Sequence, residues 1–206
     1  MGEVRIVYSQ FEEEKYILGA FKIQDADERF LTGRFLDIGA CHPTDKSNTR
    51  ALFELGWGGV MIEPSPVPMR NLLEAYGTET RIQLVQACVT INPGLVELHV
   101  TDDLTSTTKD AQYEQWRSTS KFIGSMLVPG LHLEYIAQKF GGFDFVNIDA
   151  EGESADLFLG TLRAGWQSKC VCVEHDGREG EIISAATPLH YHVVYGNGTN
   201  LVLVRG

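Results

Sequence analysis

Acidic side chains stand at the ends of the short apolar segments in this chain. The carboxylates in these places are Asp37, Glu63, Asp149, Glu151 and Glu174. Carboxylates can accept hydrogen bonds from hydroxyl groups, bind Mg²⁺ or Mn²⁺, or move a proton. Which of these they do depends on whether the fold brings the segment ends together.

The order of the apolar segments predicts a mostly parallel β-sheet with helices on both faces. Short apolar runs alternate with amphipathic segments of helical spacing, as in βαβ units. Gly196-Asn197-Gly198 is a tight hairpin signal, so the last strand should run antiparallel to its neighbour. In such sheets, ligands bind beyond the carboxyl ends of the strands. The five carboxylates are therefore predicted to lie along one edge of the sheet.

Hydrophobic periodicity and turn residues define the predicted elements. Strands are predicted over 35–38, 60–62, 82–89, 96–100, 143–149, 170–173, 191–195 and 201–204. Helices are predicted over 47–55, 66–76, 113–117, 131–140 and 154–162. Segments 101–130 and 177–190 are predicted to be mainly loops that face a substrate. The chain is expected to form one domain over 1–206, with a helical cap over 1–30 and the core over 31–206.

The loop after the first predicted strand argues against a dinucleotide. A Gly-x-Gly-x-x-Gly motif that starts at Gly39 would need glycines where the chain has Cys41 and Thr44, and Pro43 lacks a backbone N–H. An acidic edge suits a ligand with a cationic sulfur, an α-ammonium group and a ribose diol. Glu63 follows Gly39 at close to the spacing of about 20 residues expected of an acid that binds ribose hydroxyls. Together these features predict S-adenosylmethionine as the ligand.

The overall charge disfavours two classes of partner. The chain has 17 basic and 28 acidic residues, a formal net charge of −11. Sequence-independent binding to nucleic acid or to an anionic membrane needs a basic surface, so neither partner is expected. The four cysteines form no CxxC pair, and the N-terminus lacks the pattern of a signal peptide. We therefore expect reduced cysteines and a cytoplasmic protein, whereas the sequence does not define the oligomeric state.

Several segments resemble the FkbM family of S-adenosylmethionine-dependent methyltransferases. They are Phe-Leu-Asp-Ile-Gly-Ala-Cys-His-Pro at 35–43, Ser-Asn-Thr at 47–49, Gly-Trp-Gly-Gly-Val-Met-Ile-Glu-Pro-Ser-Pro at 56–66, and Phe-Asp-Phe-Val-Asn-Ile-Asp-Ala-Glu-Gly-Glu at 143–153. Tyr8-Ser9-Gln10 resembles a segment that precedes the family's first strand. The resemblance covers most of residues 8–160 and implies a Rossmann-like, seven-stranded fold that usually methylates oxygen atoms of small molecules or sugars.

The resemblance also implies cofactor contacts. Asp37, Gly39 and Ala40 would line the methionine moiety, with Asn48 and Thr49 nearby. Glu63 would hold the ribose, and Pro64 and Ser65 would flank the adenine. Gln10, Cys88 and Asp149 complete the predicted cofactor residues. Cys41 departs from the family, in which asparagine is expected, so one side-chain hydrogen bond is not carried over.

Methyl transfer to a hydroxyl group also requires removal of a proton. His175 is the first candidate for a general base because imidazole titrates near neutral pH, and His42 is the second. Asp149 is predicted to act beside His175. A metal route is the alternative, in which Asp149, Glu174 and His175 would hold Mg²⁺ or Mn²⁺.

The methyl acceptor is not encoded in any motif of the chain. A hydroxyl group of a sugar or natural-product intermediate is the leading prediction, in a biosynthetic role. An amine acceptor, or a non-catalytic domain that kept the fold, remains open.

Overall fold

Alternating strands and helices build one large sheet and a small second sheet in the computed structural model, which describes residues 7–21, 32–101 and 106–206. The strands are β1 Arg34–Ile38, β2 Gly58–Ile62, β3 Ile82–Val85, β4 Cys88–Val89, β5 Gly94–Thr101, β6 Phe122–Leu131, β7 Phe145–Ile148, β8 Cys170–Glu174, β9 Tyr191–Gly196 and β10 Asn200–Arg205. The α-helices are α1 Glu13–Ala20, α2 Arg50–Glu54, α3 Pro66–Tyr76, α4 Asp110–Trp116, α5 Leu133–Phe140, α6 Ser154–Arg163 and α7 Glu179–Ala186. A 3₁₀-helix spans Thr187–Leu189.

The large sheet confirms the predicted fold class. Its seven strands follow the order β3-β2-β1-β7-β8-β10-β9. All neighbouring strands pair in parallel except β10, which runs antiparallel to both β8 and β9. The strand order reverses between β1 and β7, where an open sheet of this kind forms its ligand crevice.

Helices cover both faces of the large sheet, as the continuous apolar strands predict. Leu36 and Ile38 of β1 point to one face, where they belong to an apolar cluster that includes residues of α5, α6 and α7. Phe35 points to the other face, where it belongs to a cluster with residues of α1, α2 and α3. Each fully buried side chain of this size contributes about 1.5–3 kcal/mol. The strand ends that carry the acidic residues are therefore fixed by packing on two sides.

The small sheet was not predicted, and it corrects two sequence assignments; a third correction concerns α7. It has the order β4-β6-β5. Residues 82–89 do not form one strand, because β3 joins the large sheet whereas β4 pairs with β6. Most of the segment predicted as loop over 101–130 is instead α4 and β6, and β6 pairs with β5 along its length. Residues 177–190 also contain α7, which packs against α6.

The predicted N-terminal cap over 1–30 is described only in part. Within it, α1 packs against β8, β9 and β10. Residues 1–6 and 22–31 lie outside the described residues. In the described part of the chain, no helix is long and apolar enough to cross a membrane.

A close backbone contact joins the ends of β1 and β7. Gly39 has a φ of +77°, and a Cβ added there would lie 1.7 Å from the carbonyl oxygen of Asp149. Asp149 N donates to Ile38 O at 2.9 Å in the same place. Only glycine fits this position, because it has no Cβ and adopts positive φ without strain.

Candidate functional site

A pocket opens at the carboxyl ends of β1, β2, β7 and β8, where the sequence predicted the site. Apart from Thr49, every predicted cofactor residue lines it: Gln10, Asp37, Gly39, Ala40, Asn48, Glu63, Pro64, Ser65, Cys88 and Asp149. Glu151 and Glu174 line the same pocket, so the five carboxylates of the strand ends do meet. Thr49 is fully buried beneath the pocket wall, so the structure does not place it against a ligand.

Asp37 sits at the centre of a buried hydrogen-bond network that forms part of the pocket lining. Its Oδ1 accepts from Asn147 Nδ2 at 2.8 Å, and its Oδ2 accepts from Thr49 Oγ1. Asn48 Nδ2 donates in turn to Asn147 Oδ1 at 3.0 Å. Burial raises the pKa of Asp37, and the two hydrogen bonds oppose that change. Asp37 and Thr49 therefore fix the loop after β1, in which Asn48 faces the pocket.

Glu63 is held in one orientation by backbone N–H groups. Its Oε2 accepts from Cys41 N at 3.0 Å, and its Oε1 accepts from Ser65 N at 2.7 Å. The Ser65 side chain also hydrogen-bonds to this carboxylate. A carboxylate has about four acceptor positions, so acceptor capacity remains for a ligand. Burial raises the pKa of Glu63 to about 7, although the backbone hydrogen bonds oppose this. The arrangement suits a pair of adjacent hydroxyl groups that donate to a carboxylate.

Asp149, Glu151 and Glu174 form an acidic cluster in the pocket. One carboxylate oxygen from each lies within 4.8 Å of the others. Protein surrounds Asp149, but its side chain is open to the pocket. Burial raises the pKa of Asp149 to about 6. Burial, together with the charge of Asp149, raises the pKa of Glu174 to about 9. Near neutral pH, Glu174 therefore keeps a proton that it shares with ionised Asp149.

His175 does not join this cluster, although it follows Glu174 in the chain. The ring is buried and lies outside the pocket lining. Its Nδ1 accepts from Gly177 N at 3.0 Å, and its Nε2 lies 3.3 Å from Asn197 O, to which it donates. Both ring nitrogens are therefore occupied by backbone groups. This position does not support the prediction that His175 is a general base or a metal ligand.

His42 lines the pocket but is in the wrong form for a base. Its Nδ1 accepts from Asp45 N at 2.8 Å and from Thr44 N at 3.3 Å. The neutral ring must then carry its proton on Nε2, since one nitrogen of neutral imidazole is a donor and the other an acceptor. His42 can therefore donate a hydrogen bond, but it cannot accept a proton without losing its loop contacts.

Sequence reasoning missed several pocket residues. Asn147, Thr199 and Asn200 line the pocket, as do Lys46 and residues 106–108. Asn147 had a readable signal, because it is a polar residue inside an otherwise apolar strand. Thr107 had none: it reaches the site because its Oγ1 donates to Glu151 O at 3.1 Å and ties the segment before α4 to the loop after β7.

The sheet order, with a pocket at the switch between β1 and β7, defines the methyltransferase class of α/β folds. The methyltransferase FkbM domain matches residues 37–193 of the chain. The chain therefore belongs to the FkbM methyltransferase family.

Solved structures share the fold at low sequence identity. A methyltransferase FkbM from Methylobacillus flagellatus has a TM-score of 0.55 and 14% identity, over 84% of this chain and 43% of that one. This chain thus spans less than half of that protein. A putative methyltransferase, yhhF, from Escherichia coli has a TM-score of 0.51 and 13% identity, over 98% and 89% of the two chains. None of the curated proteins matches the chain. At these identities the similarity establishes the fold alone.

The pocket residues fit the cofactor that the family implies. Glu63 presents spare acceptor positions for the ribose hydroxyls. Asn48 Oδ1 is buried without a hydrogen-bond partner among the described residues, and Asn48 lines the pocket. An α-ammonium group is a donor that would satisfy this oxygen. Pro64, Ala87 and Leu98 add apolar surface suited to an adenine ring.

Proposed function

We propose that the protein methylates a hydroxyl group of a small molecule, and that Glu63 anchors the ribose of S-adenosylmethionine. The observation that carries the proposal is the Glu63 carboxylate, fixed by two backbone N–H groups at the edge of the pocket. When bound, the cofactor supplies a methyl group on a sulfonium sulfur. Isothermal titration calorimetry tests the proposal, with S-adenosylmethionine as the expected ligand and NAD as the control that should not bind.

Asp149 is the residue best placed to take the acceptor's proton. It is open to the pocket, and its pKa of about 6 leaves it ionised at neutral pH but basic enough to accept a proton. Glu174, which holds the shared proton, keeps Asp149 in place. The neighbouring carboxylates would also stabilise positive charge on the acceptor as the bond forms.

Asp149→Asn is expected to lower kcat by about 10²–10⁴, the usual contribution of a general base. At saturating S-adenosylmethionine, the wild-type rate should rise with pH through about 6 and then level off, because the base must be ionised. Both are read from initial rates of methyl transfer between pH 5 and 8. A higher dissociation constant for the cofactor with unchanged kcat would assign Asp149 to cofactor binding, the other role that its sequence position suggests.

A divalent cation is the alternative to direct proton transfer, because three carboxylates converge in the pocket. Mg²⁺ or Mn²⁺ could bind Asp149, Glu151 and Glu174 and acidify the acceptor hydroxyl. We expect turnover to continue after dialysis against excess EDTA, since Asp149 can act as the base itself. Loss of activity on chelation, restored by added Mg²⁺ or Mn²⁺, would favour the metal route.

The chemical class of the acceptor is tested by product analysis. An acidic pocket also attracts an ammonium group, so an amine is the second candidate acceptor. The net charge of −11 disfavours RNA as an acceptor. Incubation with hydroxyl-bearing sugars, primary amines and a structured RNA, followed by mass spectrometry, separates the three. Methylation of an oxygen atom in a small molecule is the expected result, and methylated RNA alone would overturn it.

A further inference from the structure

The chain segment before α1 runs along the pocket and contributes to its wall. This N-terminal strap, residues 8–12, has no regular secondary structure. Gln10 lies within it, is exposed, and lines the pocket. An exposed segment keeps a fixed position only if its ends are tied to the rest of the protein.

Glu13 provides the tie at one end of the strap. Its side chain is completely buried. Glu13 Oε1 accepts from Asn200 Nδ2 at 2.9 Å and from Asn197 Nδ2 at 3.1 Å, while its Oε2 accepts from Phe11 N at 2.8 Å. One carboxylate thus joins the strap to the turn between β9 and β10. Asn200 lines the same pocket as Gln10, so Glu13 connects two parts of the pocket wall.

Further hydrogen bonds hold the strap at both ends. Tyr195 Oη donates to Phe11 O beside the Glu13 contact. At the opposite end, Tyr8 Oη donates to Glu54 Oε1 of α2 at 2.8 Å. The strap is therefore fastened between α2, which follows β1, and the β9–β10 turn.

The β9–β10 turn does not depend on Glu13. Asn197 Oδ1 accepts from Thr199 N at 2.8 Å and from Asn200 N at 2.7 Å. His175 N donates to Thr199 O at 2.9 Å from the neighbouring strand end. Because the turn is held by its own contacts, it is the fixed partner, and the strap is the part that Glu13 places.

A buried carboxylate is expensive to desolvate, and this one has no basic partner among the described residues. The three N–H groups that donate to Glu13 come from the strap and from the β9–β10 turn. They offset the cost of desolvating the carboxylate only when the strap lies against the turn. We propose that Glu13 is a positioning residue of the cofactor pocket, which holds Gln10 in the pocket wall before S-adenosylmethionine binds. The inference rests on the proposed cofactor pocket. Preformed walls raise affinity because less ordering is needed on binding.

Calorimetry with S-adenosylmethionine tests the inference on four variants and the wild type. Glu13→Gln keeps the shape but turns an amide N–H₂ toward groups that are donors themselves. Its dissociation constant should rise about tenfold, as expected when a charge-assisted contact that preorganises a site is lost. Glu97→Gln removes the same charge from an exposed residue of β5, away from the strap, and should leave affinity unchanged. Gln10→Ala should weaken binding. The double variant Gln10→Ala with Glu13→Gln should bind less than about threefold more weakly than Gln10→Ala alone, because the effects of two coupled residues do not add.

The outcomes separate this inference from the proposed function. If wild-type protein does not bind S-adenosylmethionine, the proposed function fails and the inference fails with it. If the wild type binds and Glu13→Gln lowers only the melting temperature, Glu13 has a purely structural role and the inference is overturned. If Glu13→Gln lowers affinity equally in the wild type and in Gln10→Ala, Glu13 does not act through Gln10 and the inference is overturned. If Glu13→Gln does not fold, Tyr195→Phe takes its place, because it keeps the ring and loses only the hydroxyl group that bonds to Phe11 O. The inference then stands only if Tyr195→Phe weakens the binding of S-adenosylmethionine.

Discussion

Glu63→Ala is expected to raise the dissociation constant for S-adenosylmethionine about a hundredfold or more. Each hydrogen bond to a charged group is worth about 1.5–3 kcal/mol, and the ribose would make two of them. The variant also leaves Cys41 N and Ser65 N without the carboxylate that they orient in the wild type. Calorimetry on the purified variant measures the change.

The matched control for this result is Glu74→Ala, which removes an exposed glutamate from α3 outside the pocket. Its affinity and melting temperature should equal those of the wild type. The affinity of the wild type should also improve as pH rises through about 7, because Glu63 must be ionised to accept both hydroxyls. An unchanged dissociation constant in Glu63→Ala would remove the ribose assignment.

Glu174→Gln is expected to stabilise the folded protein at alkaline pH. The pKa of Glu174 is about 9 in the folded state, above the ordinary value of 4.5 that applies when the chain is unfolded. Between these pH values the unfolded chain has released a proton that the folded protein keeps, so folding stability falls as pH rises from about 4.5 to about 9. Glutamine removes this penalty and relieves repulsion from Asp149 and Glu151.

The gain should appear in melting temperatures measured across a pH series. We expect little difference from the wild type near pH 4 and an increase of about 3 °C or more at pH 9, since about 1 kcal/mol shifts Tm by roughly 2–4 °C in a domain of this size. Glu97→Gln, which changes an exposed glutamate on β5, should show no such trend. A Glu174→Gln variant that is less stable than wild type at pH 9 would mean that the acidic cluster stabilises the fold.

Periodicity was enough to predict the large sheet, because its strands are buried on both faces and read as continuous apolar runs. It failed at β6, where Gly124, Ser125, Pro129 and Gly130 interrupt the pattern and most side chains are exposed. The strand exists because it pairs with β5, a long-range contact that a local pattern does not encode. Likewise, Gly177 and Gly180 disguise the start of α7, which is stabilised by packing on α6.

The site was predictable where backbone topology alone decides it. Asp37 lies near the end of β1, and Glu63 and Asp149 follow β2 and β7 directly, so their meeting at one edge is a consequence of the fold. His175 follows a strand in the same way, but its ring turns toward the β9–β10 turn because Gly177 N and Asn197 O satisfy it there. Glu13 was missed as well, since nothing in the local pattern indicates that its partners lie near the other end of the chain.

The contact between Gly39 and the carbonyl oxygen of Asp149 limits how the pocket can diversify. Neither of these loops can change its backbone path without displacing the other, so the loop after β1 and the loop that begins at Asp149 must be inherited as a unit. New acceptors are then accommodated most easily through Ser106 and Thr108, which reach the pocket from outside the large sheet, whereas Thr107 is tied to the loop after β7.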